Sequence, residues 1–117
     1  MKHSIEEIAE KHKATIKYDV LKLNVSGCYI GRRHIVMGSY IIKELHDVSF
    51  FHELAHIEDN IFKRKDRFDQ EVHAWVLGFQ LAERYGYTFS RDTRSECAKW
   101  LKTYIDTGMA NYPVHHS

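Results

Sequence analysis

The chain has 117 residues, a length that fits one domain with a single core and is short for two. Its 17 Lys and Arg side chains nearly balance 16 Asp and Glu, so no large field of one sign indicates nucleic acid or a membrane as partner. The charged start, MKHSIEEIAEKHK, argues against a signal peptide, and no stretch nears membrane-span length. We therefore expect one cytoplasmic domain over residues 1–117, with its core at about 4–106 and a polar tail at 107–117.

The first part of the chain predicts one helix and a small sheet. Ser4 followed by Glu7 has the spacing of a capping box, and apolar residues then recur at helical intervals over about ten residues. The segment TIKYDVL, residues 15–21, alternates apolar and polar side chains as a half-buried strand does, and turn-forming residues follow it. The segments CYI and HIVMG flank Gly31 to Arg33 and predict a hairpin.

From Asp47 onward the apolar residues recur with a helical period, in three segments at about 47–60, 67–85 and 92–106. The first segment is predicted to begin with Asp47 or Ser49 as its N-cap. The last segment carries a core-facing stripe with no chemistry attached, formed by Cys97, Trp100, Leu101, Tyr104 and Ile105. The predicted fold class is α+β: an N-terminal helix, a small antiparallel or mixed sheet, then three helices.

The segment FFHELAHIED, residues 50–59, holds two histidines four positions apart. On a helix such residues are about 40° apart around the axis, so His52 and His56 project from one face and can bind one ion. The uncharged residues around them indicate a buried helix, in which two imidazoles without partners would be costly. With Glu53 beside them, this is the His-Glu-x-x-His arrangement, in which zinc acidifies a water and the glutamate takes its proton as the water attacks a carbonyl.

A catalytic zinc needs a third protein ligand and one open position. Glu71 begins the apolar stripe of the next predicted helix, so its carboxylate is expected to point inward. His73 lies about 200° further around the axis and cannot face the same ion without distortion. We prefer Glu71, because the small residues Ala74 and Gly78 beside it let its helix approach the histidine helix closely. The alternatives are an ion pair of Glu71 with Arg84 or Lys63 and a solvated surface position for His73.

HELAH followed by a helix carrying EVHA resembles the Glu-zincin peptidases, and in size and order it looks most like small ImmA/IrrE-type and phage-encoded metallopeptidase domains. The resemblance covers about residues 28–85. It implies that His52, His56 and Glu71 are zinc ligands, that Glu53 is the catalytic base, and that HIVMG is the edge strand along which a peptide lies. It also implies that the substrate is a particular protein inside a bacterial or phage-infected cell.

The sequence departs from the larger Glu-zincins in the residues around the third ligand. The gap between His56 and Glu71 is short. Those enzymes often have a supporting carboxylate four residues after the third ligand, where this chain has Trp75. Asp59, on the same helix face as the histidines, is the candidate to replace it, and a solvated position at the helix end is its alternative.

Two other functions stay open at this point. A SprT-like peptidase working near DNA would use His73 as third ligand and the basic run KRKDR, residues 63–67, against phosphates, although such a run is more often a solvated loop. A binding or regulatory module would hold structural zinc or none, and Cys28 is the only thiol expected near the site. The substrate, the group that stabilises the oxyanion and the oligomeric state are not assigned.

Overall fold

The structure, a computed structural model, describes residues 2–106, without the side chains of residues 61 and 104–106. Its elements are α1 (Ile5–Lys11), β1 (Thr15–Leu23), β2 (Ser26–Tyr29), β3 (His34–Ser39), α2 (Lys43–Glu58), α3 (Arg67–Arg84) and α4 (Arg91–Asp106), with single 3-10 turns at Ile30–Arg32 and Ile61–Lys63. The predicted α+β fold class, with one helix, a mixed sheet and three further helices, is confirmed. The predicted polar tail at 107–117 lies outside the described residues.

Helix α1 begins at the predicted cap. The Oγ of Ser4 accepts a hydrogen bond from the N–H of Glu7 and lies 3.1 Å from the carboxylate of the same residue. The helix has seven residues, shorter than predicted, and the chain turns at Lys13, whose φ is 55°. Its apolar stripe packs into the core through Ile5, Ile8 and Ala9.

The sheet has the strand order β1-β3-β2, with β1 parallel and β2 antiparallel to β3. The predicted hairpin is confirmed, and Arg33 closes it in the left-handed region with φ of 49°. The prediction that HIVMG forms an edge strand is wrong, because this segment is β3, the central strand. Its residues Ile35 and Met37 are fully buried, as suits a strand paired on both sides.

Strand β1 leaves the core after its first residues. Ile16 is partly buried as predicted, but Tyr18 and Val20 are 46% and 71% exposed. The pairing with β3 shifts register between Asp19 and Leu23. The prediction of a half-buried strand is therefore wrong from Tyr18 onward. Tyr18 still lies in the regular part of the pairing, whereas at Val20 the irregular pairing breaks the alternation of the two faces.

Helix α2 begins at Lys43, one turn before the predicted start, and its N-cap residue Ile42 offers no side-chain hydrogen bond. The prediction that Asp47 or Ser49 caps the helix is wrong, since both are buried inside it. The Asp47 carboxylate instead contacts side chains of its own helix, His46 at 3.1 Å and Lys43 at 3.5 Å. The apolar pattern that set the predicted start does not extend into the first turn, whose residues are exposed or partly buried.

Helices α2 and α3 pack closely at Gly78, as the sequence predicted. A Cβ at this position would lie 3.1 Å from the backbone oxygen of Phe51 and 3.4 Å from the Cα of His52. The main core lies beneath α2, with Phe50, Phe51 and Leu54 fully buried.

Helix α4 packs against α3 and shares a second buried cluster with α2 and α3. Cys97 is buried beside Val48 and Trp75, and Trp100 and Leu101 pack partly against the same cluster, as the predicted stripe requires. The side chains of Tyr104 and Ile105, which complete that stripe, lie outside the description. None of the helices described within residues 2–106 has the length and apolar character that a membrane crossing requires.

Candidate metal centre

Two helices bring a histidine pair and a carboxylate to one point. His52 and His56 lie one turn apart on α2, and Glu71 lies in the second turn of α3. Asp66 caps α3 by accepting a hydrogen bond of 2.8 Å from the N–H of Asp69, which fixes where the helix begins. Glu71 is 2% exposed, so its carboxylate is turned toward α2 rather than toward solvent.

The three side chains can hold one metal ion. One ligand atom from each of His52, His56 and Glu71 lies within 4.8 Å of the others. The Nε2 atoms of the histidines are 3.1 Å apart, and they lie 2.8 Å and 3.2 Å from the two Glu71 oxygens. Ligands at tetrahedral angles around zinc, each about 2.0–2.2 Å from it, are separated by about 3.3–3.5 Å. The donor set therefore fits a divalent ion after a small outward movement of the side chains.

Without a metal, the same groups form a coupled charged network. Burial lowers the pKa of His52, but the carboxylates of Glu53, at 3.6 Å, and Glu71, at 2.8 Å, outweigh it and raise the pKa to about 9. Burial raises the pKa of Glu71, yet hydrogen bonds from both histidines hold it well below its usual value. The pKa of Glu53 is also lowered, because contact with His52 outweighs burial. In the metal-free protein, a proton on His52 thus supplies positive charge that a bound metal ion would otherwise bring.

Glu53 is held next to the cluster without joining it. Its carboxylate is 6% exposed, lies 3.6 Å from the Nδ1 of His52, and accepts a hydrogen bond of 2.8 Å from the hydroxyl of Ser26 on β2. The sequence identified Glu53 but gave no reason to choose Ser26, since that contact joins residues 27 positions apart in sequence.

Trp75 supports the site in a way that the sequence analysis missed. Its ring stacks on the imidazole of His52, with centroids 4.0 Å apart and planes within 2°. An aromatic face, rather than a carboxylate, thus holds the histidine ring at this position. One turn of α3 after Glu71 brings Trp75 back to the same face, which is the signal that could have suggested it.

The cluster opens into a cleft of about 430 Å³ between β2, α2 and α3. Besides the histidines and glutamates, the cleft is lined by Asn24, Val25, Ser26, Gly27, Cys28, Ile30, Arg67, Gln70, Trp75 and Trp100. Cys28 is a free thiol whose pKa is raised, first by burial and then by the nearby Glu53. In the metal-free protein Cys28 therefore stays protonated, and it is not one of the three residues whose ligand atoms come together.

Several other candidates from the sequence lie elsewhere. His73 is 45% exposed and pairs with Asp69 at 3.3 Å, away from the cluster. Asp59 lies near the end of α2, where both its oxygens accept hydrogen bonds from Arg64. Besides the two histidines, Arg67 pairs with Glu71, at 3.6 Å.

Tyr and His side chains can stabilise an oxyanion, and the residues of these types considered for that role are Tyr85, Tyr104, His34 and His73. The hydroxyl of Tyr85 bonds to His12, and the ring of His34 bonds to Thr15. The side chain of Tyr104 is not described. Neither Tyr85 nor His34 lines the cleft.

Comparisons of the whole chain with known proteins give no relative to guide the interpretation. No family model matches it, and neither the curated proteins nor the solved structures contain a significant match. The functional argument therefore rests on the residues of the site.

Proposed function

We propose that the chain is a zinc-dependent metallopeptidase that hydrolyses peptide bonds in a protein or peptide substrate inside the cell. The observation that carries this proposal is the cluster of two imidazoles and one carboxylate at the base of an open cleft, with a second buried carboxylate beside it. Two histidines and one glutamate form a donor set of catalytic zinc sites, in which a fourth position stays open.

In this proposal His52, His56 and Glu71 hold the metal and Glu53 handles protons. Zinc, when bound, would supply a Lewis acid that acidifies a water and polarises the carbonyl of the substrate. Glu53 would orient the attacking water, accept its proton at a carboxylate oxygen, and return a proton to the amine that leaves as the C–N bond breaks. Its lowered pKa keeps the carboxylate ionised, and the Ser26 hydroxyl holds one of its oxygens in place.

The substrate is proposed to lie as an extended strand along β2. The N–H of Gly38 donates to the C=O of Val25, and the N–H of Thr15 donates to the C=O of Arg33. These two bonds show which residues of β3 bond to β2 and which bond to β1. By that alternation the N–H and C=O groups of Ser26 and Cys28 turn away from β3, toward the free edge of the sheet. Both residues line the cleft, so a peptide paired with this edge would pass the metal site.

The DNA-associated alternative has less support. It needs His73 as third ligand, and His73 is exposed and paired with Asp69. Arg64, from the basic run, has its guanidinium bound to Asp59. A regulatory module with a zinc site but no catalysis stays the second candidate, because the same three ligands would serve it.

Four variants separate these functions. Glu53→Gln is expected to keep stoichiometric zinc and the wild-type melting temperature while lowering the rate of hydrolysis by about 10²-fold or more. His52→Ala and Glu71→Ala are expected to lose zinc, whereas His73→Ala, the matched histidine control, retains it. Zinc is measured by elemental analysis, and hydrolysis by mass spectrometry of new termini in a peptide library made from a bacterial proteome.

Two results would contradict the proposal. Purified protein that takes up no zinc would exclude the metal site. Zinc-loaded wild-type protein that generates no new termini above the level of Glu53→Gln would favour the regulatory module.

A further inference from the structure

Strand β1 presents apolar side chains to solvent along one edge of the sheet. Val20, Leu21 and Leu23 are 71%, 90% and 65% exposed, and Tyr18 before them is 46% exposed. The strand order β1-β3-β2 gives β1 a partner strand on one side only. Apolar side chains grouped in this way gain free energy when a partner removes them from water, so this edge favours contact with another macromolecule.

The backbone of β1 can take a further strand at this edge. The N–H of Thr15 donates to the C=O of Arg33, and the pairing with β3 stays regular from Thr15 to Asp19. Successive residues of a strand turn their backbone groups to opposite sides, so the N–H and C=O groups of Ile16 and Tyr18 point away from β3. They point to the free edge of the sheet.

A groove lies beside the first half of the same strand. This α1–β1 groove has a volume of about 430 Å³, and its lining includes Ala9, Ala14 and Ile16. The two alanines are buried and Ile16 is partly buried, so part of the groove is apolar. The groove and the exposed apolar residues thus belong to opposite halves of β1. Two copies of β1 that run antiparallel bring the apolar half of each strand beside the groove of the other.

The charged residues of β1 select one register for such a pairing. When Tyr18 faces Tyr18 of the second copy across a two-fold axis, Lys17 of each copy faces Asp19 of the other. Moving the axis by one residue in either direction would place Lys17 against Lys17 or Asp19 against Asp19. The favourable register also sets Val20 of each copy opposite Ile16 of the other, beside the α1–β1 groove.

We propose that two copies of the chain associate through antiparallel pairing of their β1 strands. The pairing joins two three-stranded sheets around a two-fold axis and leaves both β2 edges, with their clefts, free. The regular ladder is short, because the C=O of Val20 already accepts a hydrogen bond from the hydroxyl of Ser39. The dimer is therefore expected to form at micromolar rather than nanomolar concentrations. It does not depend on the peptidase function.

Sedimentation velocity over a series of concentrations measures the association of the full chain. Wild type is expected to pass from monomer to dimer as the concentration rises. Lys17→Asp and Asp19→Lys are each expected to weaken the dimer by about tenfold, because each sets like charges opposite one another at two symmetric places. The double variant is expected to return to near the wild-type Kd. Lys99→Asp, the same substitution at an exposed lysine of α4, is the matched control.

A disulfide cross-link tests the register independently. Residues opposite one another in a hydrogen-bonded antiparallel pair have Cα atoms about 5.5 Å apart, within the range that a disulfide can bridge. Tyr18→Cys is therefore expected to give a covalent dimer with oxidised glutathione. Val76→Cys, at a similarly exposed position of α3, is expected to stay monomeric. Wild type treated in the same way controls for Cys28 and Cys97.

Two results would overturn the proposal. Wild type that stays monomeric at millimolar concentration would show that a different partner, or none, covers β1. A dimer that neither charge variant weakens, and that Tyr18→Cys does not link, would place the contact elsewhere on the surface. Where circular dichroism shows that a charge variant is unfolded, the cross-link decides.

Discussion

At the scale of single residues, His52 connects every part of the site. Its Nε2 meets Glu71, its Nδ1 faces Glu53, and its ring lies flat on Trp75. A ligand whose ring is fixed before the metal arrives loses less conformational freedom on binding. The stack with Trp75 is therefore expected to contribute to metal affinity as well as to packing.

Replacing Trp75 should show this contribution. We expect Trp75→Leu to weaken zinc binding by about 10–100-fold, the range for groups that orient metal ligands, and Trp75→Phe to weaken it less because a ring still covers His52. Affinity is measured by competition with a chromophoric chelator, after circular dichroism has shown that each variant is folded. Equal affinities of the Leu and Phe variants would show that the stacked ring does not orient the ligand.

The raised pKa of His52 predicts a dependence of zinc stabilisation on pH. In the metal-free protein the proton on His52 stabilises the fold fully below the unfolded pKa of about 6.5, and this stabilisation is lost as the pH rises through about 9. Zinc must displace that proton, so its affinity should rise over the same interval. We expect zinc to raise the melting temperature more at pH 8.5 than at pH 6, as measured by calorimetry. An increase of equal size at both values would contradict this.

Glu71 has the opposite effect on the pH dependence of stability. The lowered pKa of Glu71 means that its stabilisation is present above the unfolded value and is lost as the pH falls through the folded value. His52 and Glu71 together therefore stabilise the metal-free fold most between their unfolded pKa values, in the mildly acidic range.

At the scale of elements, the spacing between α2 and α3 sets the distance between the histidines and Glu71. Gly78 permits that spacing, because a Cβ there would press on the backbone of Phe51. We expect Gly78→Ala to move the helices apart by a few tenths of an ångström and to weaken zinc binding. The free energy of unfolding should change little, because the higher helix propensity of alanine, worth up to about 1 kcal/mol, offsets the cost of moving the helices apart.

Zinc titration and thermal unfolding of Gly78→Ala test this prediction together. Gln80→Ala, at an exposed position two residues further on, controls for substitutions in the same helix. A Gly78→Ala protein that is more stable and binds zinc as tightly as wild type would show that the two helices adjust without cost.

The elements also show what the sequence could predict. Helical spacing was enough to place His52 and His56 on one face and to turn Glu71 inward, because these are local consequences of helix geometry. The central position of β3 was not predictable, since its partner β1 is distant in the chain and an apolar run looks the same in a central or an edge strand. The contacts of Trp75 with His52 and of Ser26 with Glu53 depend on tertiary packing, which periodicity does not describe.

At the scale of the whole molecule, Arg33, which does not line the cleft, joins three elements. Its guanidinium donates to the backbone oxygen of His12, after α1, and pairs with Glu58 at the end of α2, while its backbone closes the β2–β3 hairpin. We expect Arg33→Ala to lower the free energy of unfolding by about 1–2 kcal/mol, with zinc affinity unchanged.

Urea unfolding and zinc titration measure the two quantities separately. Arg32→Ala is the matched control, because Arg32 is exposed and its guanidinium lies over the Tyr29 ring. A loss of zinc affinity in Arg33→Ala would mean that the contacts of Arg33 are energetically coupled to the metal site.

The strand order has a consequence for how the chain reaches this structure. Strands β2 and β3 and helix α2 follow one another along the chain, so the hairpin and the helix packed on it can form through short loop closures. Strand β1 must instead align in parallel with β3 after the hairpin has closed. We therefore expect β2, β3 and α2, which carry both histidines and one wall of the cleft, to assemble early in folding, and the docking of β1 to be the slower step.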